Sequence, residues 1–166
     1  AINSLGTNGG VVFFPYGHTF MIQGWVTGST NDEPLGGVKL KSNVTLFMIG
    51  ATLKVTPNNK KDYVCINISN CDNVKIVGGT LVGERYQHTN SSDYVNNLDQ
   101  WGYGIAIVGS YDVYIEGVVA KDFTGDGFYI GASTLRGTSA NINITHSIAD
   151  NNRRNGLSIT SCYGGT

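Results

Sequence analysis

The sequence has no long apolar run, little proline, little cysteine and no excess of charge of either sign, and each shortage removes a class of protein. No hydrophobic stretch approaches the roughly 20 residues that span a bilayer, and no signal-like segment opens the chain. Eleven basic against twelve acidic side chains leave a net charge of −1, which offers nothing to nucleic acid or to an anionic membrane surface. Cys65, Cys71 and Cys162 form an odd set without metal-ligand spacing. They read as small apolar or corner residues rather than as a disulfide framework or a metal site.

Glycine is plentiful where proline is not, at 23 residues against three. A chain that turns sharply many times needs positive φ or close backbone approach at its corners, which glycine supplies at little steric cost. The 40% hydrophobic fraction is enough for one core in a chain of 166 residues.

One short phrase is written three times between Trp101 and Ile159: Tyr103-Gly-Ile-Ala-Ile, Asp126-Gly-Phe-Tyr-Ile and Asn155-Gly-Leu-Ser-Ile. A second pattern repeats as Val44-Thr-Leu46, Val74-Lys-Ile76, Val113-Tyr-Ile115 and Ile142-Asn-Ile144, each with Asn or Asp just before it. The glycines of the first phrase recur after 23 and 29 residues, and the second pattern after 30, 39 and 29. Such irregular steps do not suit propeller blades or helical hairpins. They suit a solenoid whose strands keep register while its corners vary in length. Alternating Val, Ile and Leu predict strands with one face inward, stacked in parallel about 4.8 Å apart.

The chain is therefore expected to be all-β, a single parallel β-helix domain over residues 1–166, cut from a longer chain at both ends. Ala1 to Leu5 reads as the last turn of a helix stopped at Gly6. Asn at equivalent corners is expected to stack between coils and hydrogen-bond along the column. Asn43, Asn67, Asn90 and Asn143, each heading an Asn-x-Ser/Thr triplet, are read as such corners rather than as glycosylation acceptors.

These residues carry a resemblance. Gly9-Gly-Val-Val-Phe-Phe-Pro-Tyr-Gly, Leu40-Lys-Ser-Asn-Val-Thr-Leu, Gly50-Ala-Thr-Leu, Gly78-Gly-Thr-Leu and Gly125-Asp-Gly-Phe-Tyr-Ile-Gly together resemble the right-handed parallel β-helix proteins of the pectate lyase-like superfamily. Within it, the likeness is to phage and prophage tail spikes and to related bacterial polysaccharide-degrading proteins. The resemblance implies a helix capping the first coil, a polysaccharide as partner, an extracellular, virion or cell-surface location, and a parallel homotrimer for the full-length protein. Of the catalytic wording of polygalacturonase-type hydrolases, only Asp126-Gly127 is matched.

The residues themselves indicate where a site would sit. The longest step contains the polar stretch 84–100, with Glu84, Arg85, Tyr86, His88 and Asp99. It is expected to protrude and overhang one wall of the solenoid. Aligned on their glycines, the three phrases put Tyr103, Asp126 and Asn155 in one column, Trp101, Thr124 and Arg153 in a second, and Asp99, Asp122 and Asn151 in a third. This arrangement predicts a patch of three carboxylates and an arginine beside an exposed tryptophan.

An aromatic face suits a pyranose ring, and Asp, Asn and Arg offer directional hydrogen bonds. Stacked carboxylates repel, which would hold one protonated as a general acid. Asp122 and Asp126 are the leading catalytic pair, with Asp99 and Arg153 beside them. Trp101, Glu84, Arg85, His88, Tyr129, Arg154 and Asn155 are the expected substrate-binding residues. Carboxyls about 6.5–9.5 Å apart would invert and about 5 Å apart would retain.

Two alternatives stay open. One is β-elimination of a uronic acid polymer, with Arg153, Arg154 or a divalent cation such as calcium neutralising the substrate, and Lys121 or His88 as base. The other is a non-catalytic glycan-binding adhesin or spike shaft. Outside the elimination reading, no metal or other cofactor is implied.

Overall fold

Every second residue of the repeated phrases is apolar, and the computed structural model shows what that alternation builds. It describes residues 1–26, 28, 35–89 and 100–165. After a short 3-10 helix at Ile2–Ser4, the chain winds through coils of three strands. The first coil holds β1 (Gly10–Phe13), β2 (Thr19–Ile22) and β3 (Val38–Lys39), and the second holds β4 (Val44–Phe47), β5 (Thr52–Val55) and β6 (Asp62–Ser69). The third has β7 (Asp72–Val77), β8 (Thr80–Val82) and β9 (Trp101–Val108), and the fourth β10 (Tyr111–Glu116), β11 (Val119–Lys121) and β12 (Phe128–Gly131). The fifth has β13 (Ser139–Thr145), β14 (Ile148–Asp150) and β15 (Leu157–Ile159), and β16 (Cys162–Gly165) begins another.

Corresponding strands of successive coils pair in parallel, giving three walls with the orders β1-β4-β7-β10-β13-β16, β2-β5-β8-β11-β14 and β3-β6-β9-β12-β15. The protein is a right-handed parallel β-helix. In the first wall Val12, Leu46, Ile76, Ile115 and Ile144 stand in one register column. In the second it is Phe20, Leu53, Leu81, Ala120 and Ala149, and in the third Val38, Ile66, Ile105, Phe128 and Leu157. The middle members of these columns are sealed from solvent. Each buried aliphatic side chain contributes roughly 1.5–3 kcal/mol. Solenoid stability is therefore set coil against coil.

The corners follow from short polar side chains that tolerate positive φ. Asn43, Asn73, Asp112 and Asn141 all have φ between 53° and 63°. They form amide links along the axis, Asn73 Nδ2 donating to Asn43 Oδ1 (2.9 Å) and Asn141 Nδ2 to Asp112 Oδ1 (3.0 Å). Two of the asparagines read as corners are not corners: Asn67 and Asn143 lie within β6 and β13. Asn67 is buried there, its side-chain oxygen accepting from the Ser69 hydroxyl. Asn90 lies outside the described residues.

Candidate functional site

The third wall determines the site, because its register brings the three glycine phrases together. Ile105, Phe128 and Leu157 are paired coil to coil, so Gly104, Gly127 and Gly156 lie in one line. A side chain at Gly104 would collide with the Gly127 carbonyl oxygen, and one at Gly127 would come within 2.9 Å of the Gly156 carbonyl oxygen. The glycine of the phrase is therefore required by close backbone approach. Just before it, Tyr103, Asp126 and Asn155 stack as expected: Gly104 N–H donates to Asp126 O (3.0 Å) and Gly127 N–H to Asn155 O (3.1 Å).

Asp126 has no exposed surface. Its Oδ1 accepts the Asn155 backbone N–H at 3.1 Å and lies 3.6 Å from Arg154 Nε, while its buried Oδ2 has no hydrogen-bond partner among the described residues. The Arg154 guanidinium carbon stands 4.3 Å from the centre of the half-buried Trp101 ring, and Arg154 N–H donates to Gly125 O (3.1 Å). Asp126, Arg154, Trp101 and Asn155 therefore form one group.

Behind them the Tyr103 and Tyr129 rings stack at 4.6 Å. Tyr129, expected among the substrate-binding residues, is 8% exposed, and its hydroxyl accepts from Thr160 (3.1 Å). Burial first, and then the neighbouring Tyr129 and Asp126, push the Tyr103 phenol far above its ordinary value. Tyr103 therefore remains a neutral hydrogen-bond donor.

Asp122 belongs to a different group. It takes a corner position with φ 60°, and its Oδ1 accepts from Asn151 Nδ2 at 2.6 Å. Asn151 in turn receives Arg85 Nη1 on its backbone oxygen at 2.7 Å and donates to Tyr86 OH at 2.9 Å. The expected stack of carboxylates needed Asp99, which lies outside the described residues; the neighbour of Asp122 on the following coil is an amide. Arg153 is half-buried and anchored by its backbone N–H on Phe123 O (2.9 Å).

The start of the 84–100 stretch is not the outward overhang that its polarity suggests. Arg85 N–H donates to Asp122 O (3.0 Å) and Thr89 N–H to Asn58 O (2.9 Å), tying residues 84–89 to the coils on both sides. The side chains of Glu84 and His88 are fully buried and meet at 2.6 Å, which removes both from direct contact with a polymer outside. Glu84 lies near the buried Tyr63 phenol, which accepts the Thr124 N–H (3.1 Å); burial, followed by the Glu84 charge, raises that phenol well above the ordinary range. Tyr63 carried no sequence signal, since it occupies one inward position among many. Its ring fills the space that a side chain at Gly102 would need.

Among the described residues no cluster of three or more His, Cys, Asp or Glu side chains is placed to hold a metal ion.

Two curated proteins are similar to the chain in sequence. The chain is 34% identical over 158 residues to the uncharacterized protein YclG of Bacillus subtilis (strain 168), covering 91% of this chain and 27% of that protein. It is 34% identical over 143 residues to the SPbeta prophage-derived uncharacterized protein YorA of the same strain, covering 81% of this chain and 24% of that one. The chain thus spans about a quarter of the length of these curated relatives. No family model matches the chain, and no solved structure matches it.

Proposed function

We propose that the chain is the β-helix of a pectate lyase-like, tail-spike-type polysaccharide depolymerase. In this reading the corner between the second and third walls holds a glycan, and Asp126 takes part in hydrolysing it. The observation that supports this most is the spare oxygen of Asp126. A buried acceptor without a partner costs about 1–3 kcal/mol, and such a group calls for a role. Arg154 and the Asn155 N–H fix Oδ1, leaving Oδ2 as the atom available to a sugar hydroxyl or a glycosidic oxygen. Trp101 beside it gives an apolar surface for a pyranose ring. Asp122, held by Asn151 in its own group on the same corner, is the second carboxyl that this reading requires. Elimination has less to work with, because His88 is engaged with Glu84 inside the protein. The likeness to a prophage-derived protein fits a polymer target outside the cell, such as a bacterial wall or capsule.

Non-catalytic binding is the second reading, and the burial of Asp126 favours it: a carboxyl without exposed surface needs the corner to open before it can reach a substrate. Product release separates the two. Wild-type protein and the variants Asp126→Asn and Asp122→Asn would be incubated with a panel of wall and capsule polymers, and reducing ends and unsaturated products measured. Hydrolysis predicts reducing ends from the wild type, their loss in both variants, and retained glycan binding. Binding without any product across the panel would leave only the second reading.

A further inference from the structure

The arrangement of Arg154 over Trp101 occurs a second time on the same corner. Lys60 Nζ lies 4.3 Å from the centre of the Trp25 ring, the separation found for Arg154 and Trp101. Trp25 belongs to the first coil and Lys60 to the second, at the turn leading into β6. Val64 N–H donates to Gly24 O (2.8 Å), which in a parallel ladder sets Trp25 beside Val64. Val64 pairs with Tyr103, so Trp25 stands at the foot of the column that continues through Tyr103 to Asp126 and Asn155. Two coils separate Trp25 from Trp101, roughly 10 Å along the axis.

The two pairs differ in charge balance. Arg154 faces the Asp126 carboxylate. Lys60 has no ion pair among the described residues, yet it stands half-buried at a cleft of about 260 Å³ that it lines with Trp25, Gln23 and Asn58. The two amides are set in place: Gln23 Nε2 donates to Trp25 O (3.1 Å) and Asn58 Nδ2 to Thr56 O (3.2 Å), leaving each one further N–H to offer. Asn58 Oδ1 also accepts the Lys60 backbone N–H at 2.8 Å, so the lysine is anchored beside the cleft. An indole wall, two amide donors and an ammonium that is held against the ring without an ion pair among the described residues suit a ring-shaped ligand that carries negative charge.

We propose that this cleft is a second glycan subsite, two coils from Trp101, and that it takes an anionic sugar residue. The proposal rests on the glycan reading of the corner and narrows the substrate to an acidic polymer. A lysine is a point charge that accepts either a carboxylate or a phosphate, so the ligand is a uronic acid residue or a phosphate-bearing one. The rise per coil is similar to the length one pyranose adds to an extended chain. A single polymer strand along the axis can therefore touch both tryptophans while its acidic group meets Lys60.

The test is equilibrium binding of the intact protein to galacturonate, glucuronate and mannuronate oligosaccharides and to a phosphate-bearing wall polymer. Each is paired with its carboxyl-reduced or dephosphorylated counterpart. At least one acidic form is expected to bind roughly tenfold or more tightly than its neutral counterpart, and the arm in which this occurs identifies the anion. Lys60→Met, which keeps the stem and removes the charge, is expected to abolish that preference, whereas Arg154→Met weakens binding and retains it. Equal binding of acidic and neutral forms, an intact acid preference in Lys60→Met, or no binding of any acidic polymer overturns the proposal. Asp126-dependent product release with the acid preference intact in Lys60→Met removes the subsite and keeps the hydrolytic reading. Lys60-dependent acid binding without product does the reverse.

Discussion

Glu84 and His88 face each other at 2.6 Å with neither side chain exposed, at the start of a stretch whose composition reads as surface loop. Removing one partner of a buried hydrogen-bonded pair leaves the other short of that partner, at a cost of about 1–3 kcal/mol. His88→Ala is expected to lower stability by that order, read as a shift in the urea unfolding midpoint. Replacing both residues by Leu is expected to recover most of the loss, because no unpaired carboxylate then remains. A His88→Ala midpoint equal to wild type would show that the pair contributes nothing to the fold.

Arg154 is predicted to act on both Asp126 and the Trp101 indole. Arg154→Met leaves the Asp126 carboxylate with the Asn155 N–H as its one partner among the described residues, at an expected cost of about 1–3 kcal/mol. It also removes the guanidinium from above Trp101, which is expected to change the tryptophan emission. Arg154→Lys should not restore that emission, since a planar guanidinium stacks on an indole as an ammonium does not. Adding Asp126→Asn to Arg154→Met is expected to recover stability but not the emission. Steady-state fluorescence with denaturant titration reads both effects.

Much of this architecture was legible in the chain. Period-two alternation and the thrice-repeated glycine phrase fixed the walls, and the same alignment put Tyr103, Asp126 and Asn155 in one column. The rest depended on contacts between distant segments. Glu84 and His88 are polar by local composition, and they are buried in a segment that backbone hydrogen bonds tie to Asp122 and Asn58, both distant in sequence. Asp122 is both an acid and a residue that tolerates positive φ, and its sequence context could not separate a corner role from a chemical one. Trp25 and Lys60 meet across coils that no glycine phrase aligns, so their pairing had no signal. Asn67 and Asn143 show the opposite error: an asparagine followed by Ser or Thr looks like a corner, yet the alternation of their neighbours keeps both within strands.

The asparagine ladder gives a prediction that separates backbone strain from hydrogen bonding. Asn73 combines a φ of 53° with the amide link to Asn43 at 2.9 Å. Asn73→Gly keeps the backbone at ease and loses the link, for an expected cost of about 0.5–1.5 kcal/mol. Asn73→Ala loses the link and also adds roughly 1–2 kcal/mol for a left-handed residue bearing a Cβ. The two midpoints should therefore fall in the order wild type, glycine, alanine. Equal loss in both variants would assign the whole effect to the side-chain link.

Tyr63 and Tyr103 predict how the fold responds to alkali. Burial raises both phenols above the ordinary tyrosine value of about 10, so the folded state holds protons that the unfolded state releases. The sign follows from that difference: their contribution is fully present below about pH 10, and stability falls as pH rises beyond it, by up to about 1.4 kcal/mol per pH unit for each phenol. Denaturant midpoints are expected to be flat from roughly pH 7 to 9 and to fall steeply above pH 10. Tyr103→Phe keeps the ring stacked on Tyr129 and removes one ionising group, so its decline above pH 10 should be shallower by one proton's worth. Tyr63→Phe should show the same change in slope together with a lower plateau, because it also leaves the Thr124 N–H without its acceptor. An unaltered alkaline slope in both variants would place the linkage on other groups.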